Sequence, residues 1–91
     1  PGAKLILATS TPVTVNGDPE TLNAEKNAVV IARNEQMQIM ARRYNLPLND
    51  LYAAMANRPE WRNADGFHYN EQGVDAQGRL VADFILNQMK L

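Results

Sequence analysis

Few side chains in this sequence can do chemistry, and the most informative of them lie together. Asp65-Gly66-Phe67-His68 holds the single histidine, with a carboxylate three residues before it. Asp-Gly makes a tight turn, and Gly66 tolerates positive φ. Asp65 can therefore curl back and accept a hydrogen bond from the ring Nδ1–H. That bond fixes the tautomer and leaves Nε2 free to take a proton, the orienter and base of a nucleophile–base–orienter set. The same four residues also read as a surface turn leading into a helix, and their spacing alone does not separate the two. Ser10, the only serine, follows an apolar run. In open α/β sheets that is the carboxyl end of a strand, where ligands bind. With Thr9 and Thr11 it offers hydroxyl contacts to a ligand. It is poorly placed as a nucleophile, because Pro12 follows where a helix should start. Trp61, the only tryptophan, reads as a loop anchor or as a flat platform for substrate.

Other chemistry is limited by what the residues can supply. There is no cysteine and no second histidine to complete a zinc shell around Asp65 and His68, so neither metal nor cofactor is expected. Asp50 reads as a helix N-cap rather than a ligand. Nine basic against ten acidic side chains leave a net charge of −1, which argues against a nucleic-acid or anionic-membrane partner. The longest apolar runs are about five residues, whereas a membrane span needs ~20. With 45% hydrophobic residues in 91, one folded domain over 1–91 is expected, without repeats.

The elements that would position these residues follow from pattern. A strand over about 3–9 is nearly all apolar, as in a parallel sheet buried on both faces. Ser10-Thr11-Pro12 turns out of it. Residues 13–21 read as a loop with a turn at Asn16-Gly17-Asp18-Pro19. A hairpin tip at Asn16-Gly17 ranks lower, because no alternating run follows. A long helix over about 23–44 is capped by Thr21 or Asn23, with Glu25 at its positive end and Arg42 and Arg43 at its negative end. Val29, Ala32, Ile39, Met40 and Tyr44 share one broad face, and Met37, Met40 and Tyr44 are assigned to the core. Asn45 suits a left-handed stop before Pro47. A second strand over 46–49 and a short helix over Leu51–Asn57 follow, and then a loop from Arg58 to Tyr69. The last helix covers about 71–90, capped by Asn70, with Val74, Leu80, Val81, Phe84, Ile85 and Met89 as its apolar stripe. Gly73 and Gly78 permit close backbone approach. Strand, helix, strand, helix reads as α/β.

In this order the segments resemble SGNH (GDSL-type) hydrolases. Lys4-Leu5-Ile6-Leu7-Ala8-Thr9-Ser10-Thr11-Pro12-Val13 is similar to that family's fourth strand and following loop. Asn34, then Leu48-Asn49-Asp50-Leu51-Tyr52, is similar to its next helix and fifth strand. Trp61 with Asp65-Gly66-Phe67-His68-Tyr69-Asn70-Glu71-Gln72-Gly73 is similar to its last block, ahead of the terminal helix. The resemblance implies part of a flavodoxin-like three-layer α/β/α sandwich and the hydrolysis of an ester, a small-acyl or carbohydrate ester above all. His68 would be the general base and Asp65 its orienter, while Ser10, Thr11 and Trp61 would border the substrate. The family's Gly-Asp-Ser nucleophile motif and Gly-x-Asn-Asp block do not occur in these residues. The resemblance thus implies the C-terminal half of such an enzyme, inactive alone.

In that sheet the strand ending at Thr9 is interior, so an apolar edge near Lys4–Thr9 is left open to pair with another chain. A homo-oligomer through this edge is expected. Two further readings belong to other classes: a non-catalytic interaction or oligomerisation module derived from the fold, and a sugar-binding module using Trp61 and the Ser10 loop.

Overall fold

A computed structural model describes residues 4–89 of the chain. They form β1 (Leu7–Ala8), β2 (Thr14–Val15), β3 (Asp18–Leu22), α1 (Ala24–Arg43), β4 (Leu48–Asn49), α2 (Leu51–Met55), a 3₁₀ turn (Pro59–Trp61) and α3 (Glu71–Met89). β1 and β4 pair in parallel, Leu7 opposite Leu48 and Ala8 opposite Asn49. Parallel neighbours need a crossover, and α1 lies within it. The chain is an α/β domain with a short parallel sheet, as its element order predicts. Residues 3 and 90, the outer limits of the expected strand and last helix, lie outside the described residues. The ladder is shorter than expected at its start, β1 beginning at Leu7 and β4 at Leu48, because Pro47 has no N–H to extend it; at the other end Asp50 closes β4 where expected. Its carboxylate caps α2 through Ala53 N–H (3.2 Å) and accepts from the Thr9 hydroxyl (3.1 Å).

Residues 13–21 correct the sequence reading, because they hold a hairpin. β2 pairs antiparallel with β3 around Asn16-Gly17, with Gly17 at φ +86° and a register shift between Thr14 and Val15. The irregular register hides the alternation by which a hairpin is normally recognised.

α1 begins and ends as its sequence dictates. Asn23 accepts from Lys26 N–H at 3.1 Å, and Asn45 stops the helix at φ +53°. Its packing is another matter. Val29, Ile39, Met40 and Tyr44 are exposed, and so is Ala32; the buried stripe is Asn27, Asn34 and Ala41. At about 100° per residue these three share one line, roughly opposite the apolar face. The stripe is polar because it binds backbone. Ser10 N–H donates to Asn34 Oδ1 (2.8 Å) and Asn34 Nδ2 donates back to Ser10 O (3.0 Å). Asn27 grips Val13 in the same way: it accepts from Val13 N–H at 3.1 Å, and its Nδ2 donates to Val13 O. Each side-chain amide stands in for one residue of a neighbouring strand. The spacings agree: seven helical residues span about 10.5 Å, and three extended ones about 10 Å.

Replacing either asparagine by leucine raises helix propensity and hydrophobicity yet strands loop backbone: both groups of Ser10 for Asn34, and the Val13 N–H for Asn27, since Val13 O keeps the Asn23 N–H. We expect Asn27→Leu to cost about 2–3 kcal/mol and Asn34→Leu, whose partner Ser10 is exposed, about 1–2 kcal/mol. Urea midpoints at constant m-value measure this; an unchanged midpoint for Asn27→Leu would refute the clamp.

Outside this stripe the core is thin. Ala41, Leu51 and Met55 are its buried apolar residues. Met37 is half-buried, while Met40 and Tyr44 are exposed. On α3 the expected stripe is also uncovered: Val74, Leu80, Ile85 and Met89 are exposed, and Val81 and Phe84 half-buried. The reason is that α3 docks by its first turn, against the 3₁₀ turn. A Cβ on Gly73 would lie 2.3 Å from the Trp61 carbonyl oxygen, so close approach occurs there. Gly78 faces open space, against expectation.

Candidate functional site

The loop from Arg62 to Tyr69 carries the site, and its shape is set at both ends. Arg62 and Tyr69 form an isolated antiparallel bridge. Asn63 N–H donates to His68 O at 3.0 Å, and Asn70 N–H to Trp61 O at 2.9 Å. At the tip, Gly66 takes φ +88°, the left-handed region that Asp-Gly anticipates. Asn70 then caps α3 by accepting from Gly73 N–H at 2.8 Å.

Within that frame the Asp65 carboxylate does two jobs. Oδ1 accepts from the Phe67 and His68 amides, both at 2.9 Å, and Oδ2 lies 2.5 Å from His68 Nδ1. The ring hydrogen bond, with the two amides behind it, lowers the Asp65 pKa to about 2, since all three donors favour the charged form. Asp65 is therefore a carboxylate at neutral pH, and His68 Nδ1 carries the shared proton. Nε2 makes no hydrogen bond among the described residues, and the side chain is 77% exposed. The pair can accept a proton at Nε2 while the carboxylate holds the ring in place.

The depressed pKa fixes a pH window. The contribution of Asp65 is fully present above its ordinary value of 3.8 and is lost as pH falls through about 2. We expect the Phe67 and His68 amide resonances to titrate together with a midpoint near 2. A midpoint in the ordinary carboxylate range would disprove the anchor.

The remaining expected residues make no contact with His68 by hydrogen bond or shared concavity among the described residues. Ser10 is exposed with its backbone held by Asn34, and Thr11 is half-buried. Trp61 is half-buried, stacked 4.7 Å from the Arg58 guanidinium, and abuts Gly73, which favours its role as anchor. Among the described residues no hydrogen bond links Ser10, Thr11 or Trp61 to Asp65 or His68. None of five surface concavities among the described residues is lined by any of these five side chains. The Asp65–His68 loop is tied to β2, where Thr14 N–H donates to Gly66 O at 2.9 Å. Lys26 of α1 lies over the Phe67 ring at 4.9 Å.

Sequence reading missed Arg62, buried beneath this loop, because a lone arginine between a tryptophan and an asparagine carries no motif. It also missed Asn27 and Asn34 as loop holders; their spacing of seven on a helix was the available signal. Among the described residues no group of three metal-ligating side chains occurs, and no helix is long and apolar enough to cross a membrane. A scan against protein-family models finds no match for the chain, and searches among curated proteins and solved structures find none either.

Proposed function

We propose that this chain supplies the base and orienter of a serine ester hydrolase of the SGNH type. The observation that carries the reading is the Asp65–His68 pair: an ionised carboxylate on Nδ1 and a free, outward Nε2. An Asp-x-x-His stretch in this state lacks only an alcohol nucleophile and oxyanion donors to transfer an acyl group. Those would come from a Gly-Asp-Ser segment outside these 91 residues. The substrate class is a small-acyl or carbohydrate ester, with the Ser10–Thr11 loop and Trp61 bordering it. On the same reading the short parallel sheet belongs to a flavodoxin-like three-layer sandwich, and the uncovered apolar faces of α1 and α3 are those a larger sheet would cover. The test joins this chain to the amino-terminal half of an SGNH hydrolase and assays p-nitrophenyl acetate. Turnover that depends on His68 supports the reading.

A second reading, an oligomerisation module built on the same fold, is favoured by the surface. The accessible area is 6421 Å², against roughly 5,300 Å² for a self-contained monomer of this mass. The excess of about 1,100 Å² compares with the ~800 Å² each partner buries in a standard interface. β1 has β4 as its one neighbour among the described residues, so its other edge, flanked by the exposed Leu5, is unpaired. The occupant this reading assigns to that edge is a second copy of the chain. Light scattering at micromolar concentration should then give twice the chain mass; a monomeric mass would remove it.

A further inference from the structure

Beneath the Asp65–His68 loop lies a buried cation with no carboxylate. The Arg62 residue is 7% exposed. Its Nε donates to Thr14 Oγ1 at 3.2 Å, Nη2 to Gly66 O at 2.8 Å and Nη1 to the Tyr69 hydroxyl at 2.7 Å, with the guanidinium carbon 4.6 Å from the Tyr69 ring centre. No ion pair to Arg62 occurs among the described residues. A guanidinium is costly to bury, so its three directed donors point to a positional role, not a charge-neutralising one.

The geometry points to Arg62 as the positioning residue for the His68–Asp65 pair, acting through the carbonyl of Gly66. That carbonyl accepts from both Thr14 N–H and Arg62 Nη2, which uses both of its lone pairs. It belongs to the residue directly after Asp65, and the next two residues donate the amides that hold the Asp65 carboxylate. Fixing Gly66 O thus fixes the plane in which Oδ2 meets the ring. Arg62 spans from the β2 side (Thr14) to the far end of the loop (Tyr69), so one rigid fork holds the loop from beneath. Lysine cannot replace it, since one ammonium on a flexible stem does not reproduce three fixed directions. Arg62 touches no atom of the pair itself and is not a catalytic residue. The assignment rests on the reading of Asp65 and His68 as orienter and base.

The test reads the His68 ring in the 91-residue chain by ¹⁵N NMR at neutral pH. Wild type should show the Nδ1–H tautomer. Arg62→Met and Arg62→Lys should both lose that preference, with the Asp65 midpoint rising from near 2 toward its ordinary value. Because Arg62→Met removes a buried residue and can unfold the chain, two milder variants accompany it. Tyr69→Phe withdraws only the phenolic oxygen and Thr14→Ala only the hydroxyl and methyl. Each should shift the tautomer balance partially, and Thr14→Ser should restore it. General loosening of the fold does not produce that order or that rescue. If folded Arg62→Lys and both milder variants keep the wild-type tautomer and midpoint, the assignment is overturned. Esterase failure of the joined protein with the tautomer shifts intact would overturn the hydrolase reading alone.

Discussion

Joined to a segment carrying a serine nucleophile and oxyanion donors, the chain should hydrolyse p-nitrophenyl acetate, and His68→Ala should lower kcat by roughly 10⁶. The size follows from what the imidazole does. It removes the proton from the attacking hydroxyl and returns it to the leaving group, so its loss disables both steps. Asp65→Asn should cost less, roughly 10⁴. Its neutral amide no longer enforces a proton on Nδ1, so the ring can place its proton on Nε2, where it blocks the base. The amide also gives up the charge that steadies the imidazolium formed in the transition state. The 91-residue chain alone should show no turnover, because base and orienter without nucleophile and oxyanion donors have nothing to act on. Turnover by the joined protein that persists in His68→Ala would sink the assignment, whereas turnover by the isolated chain that His68→Ala abolishes would sink the claim that the nucleophile lies outside these 91 residues.

The Asp-x-x-His pair was legible in the sequence because it is local. Asp65, Gly66 and His68 lie within one turn, and Asp-Gly chemistry specifies that turn without help from the rest of the chain. Helix ends were legible for the same reason: Asn23, Asn45, Asp50 and Asn70 act on their own neighbours. What failed were inferences about which face of a helix turns inward. Periodicity gives an apolar face to α1, and burial was assigned to it. Yet Asn27 and Asn34 are buried, because an extended loop offers backbone donors and acceptors that only a polar side chain can meet. Nothing local in the sequence marks residues 10–13 as the partner. Arg62 was illegible on similar grounds, since its three acceptors come from three positions, one of them 48 residues away. The exposed stripe on α3 shows the converse: its periodicity is clear, but the described residues provide nothing for most of it to pack against.

Gly66→Ala should be among the most damaging single-methyl changes in the described chain. A Cβ there would meet the Thr14 carbonyl oxygen at 2.3 Å and carbon at 3.2 Å, both backbone atoms of β2. β2 cannot simply retreat, because Thr14 N–H and Arg62 both hold the Gly66 carbonyl. The backbone at φ +88° adds about 1–2 kcal/mol of strain for any side chain, and the steric displacement a further 1–3 kcal/mol. A total of about 2–5 kcal/mol is a large fraction of the 5–15 kcal/mol that stabilises a typical native protein. Gly78→Ala is the matched control: it adds the same methyl inside α3, where nothing lies within 4 Å. There the helix gains about 0.5–1 kcal/mol. The two substitutions should therefore move the urea midpoint in opposite directions. Gly66→Ala should also shift the Phe67 and His68 amide resonances, which Gly78→Ala should leave in place. A Gly66→Ala protein with wild-type midpoint and unshifted amides would mean that the loop is not pinned to β2, and the support beneath Asp65 and His68 would have to be sought elsewhere.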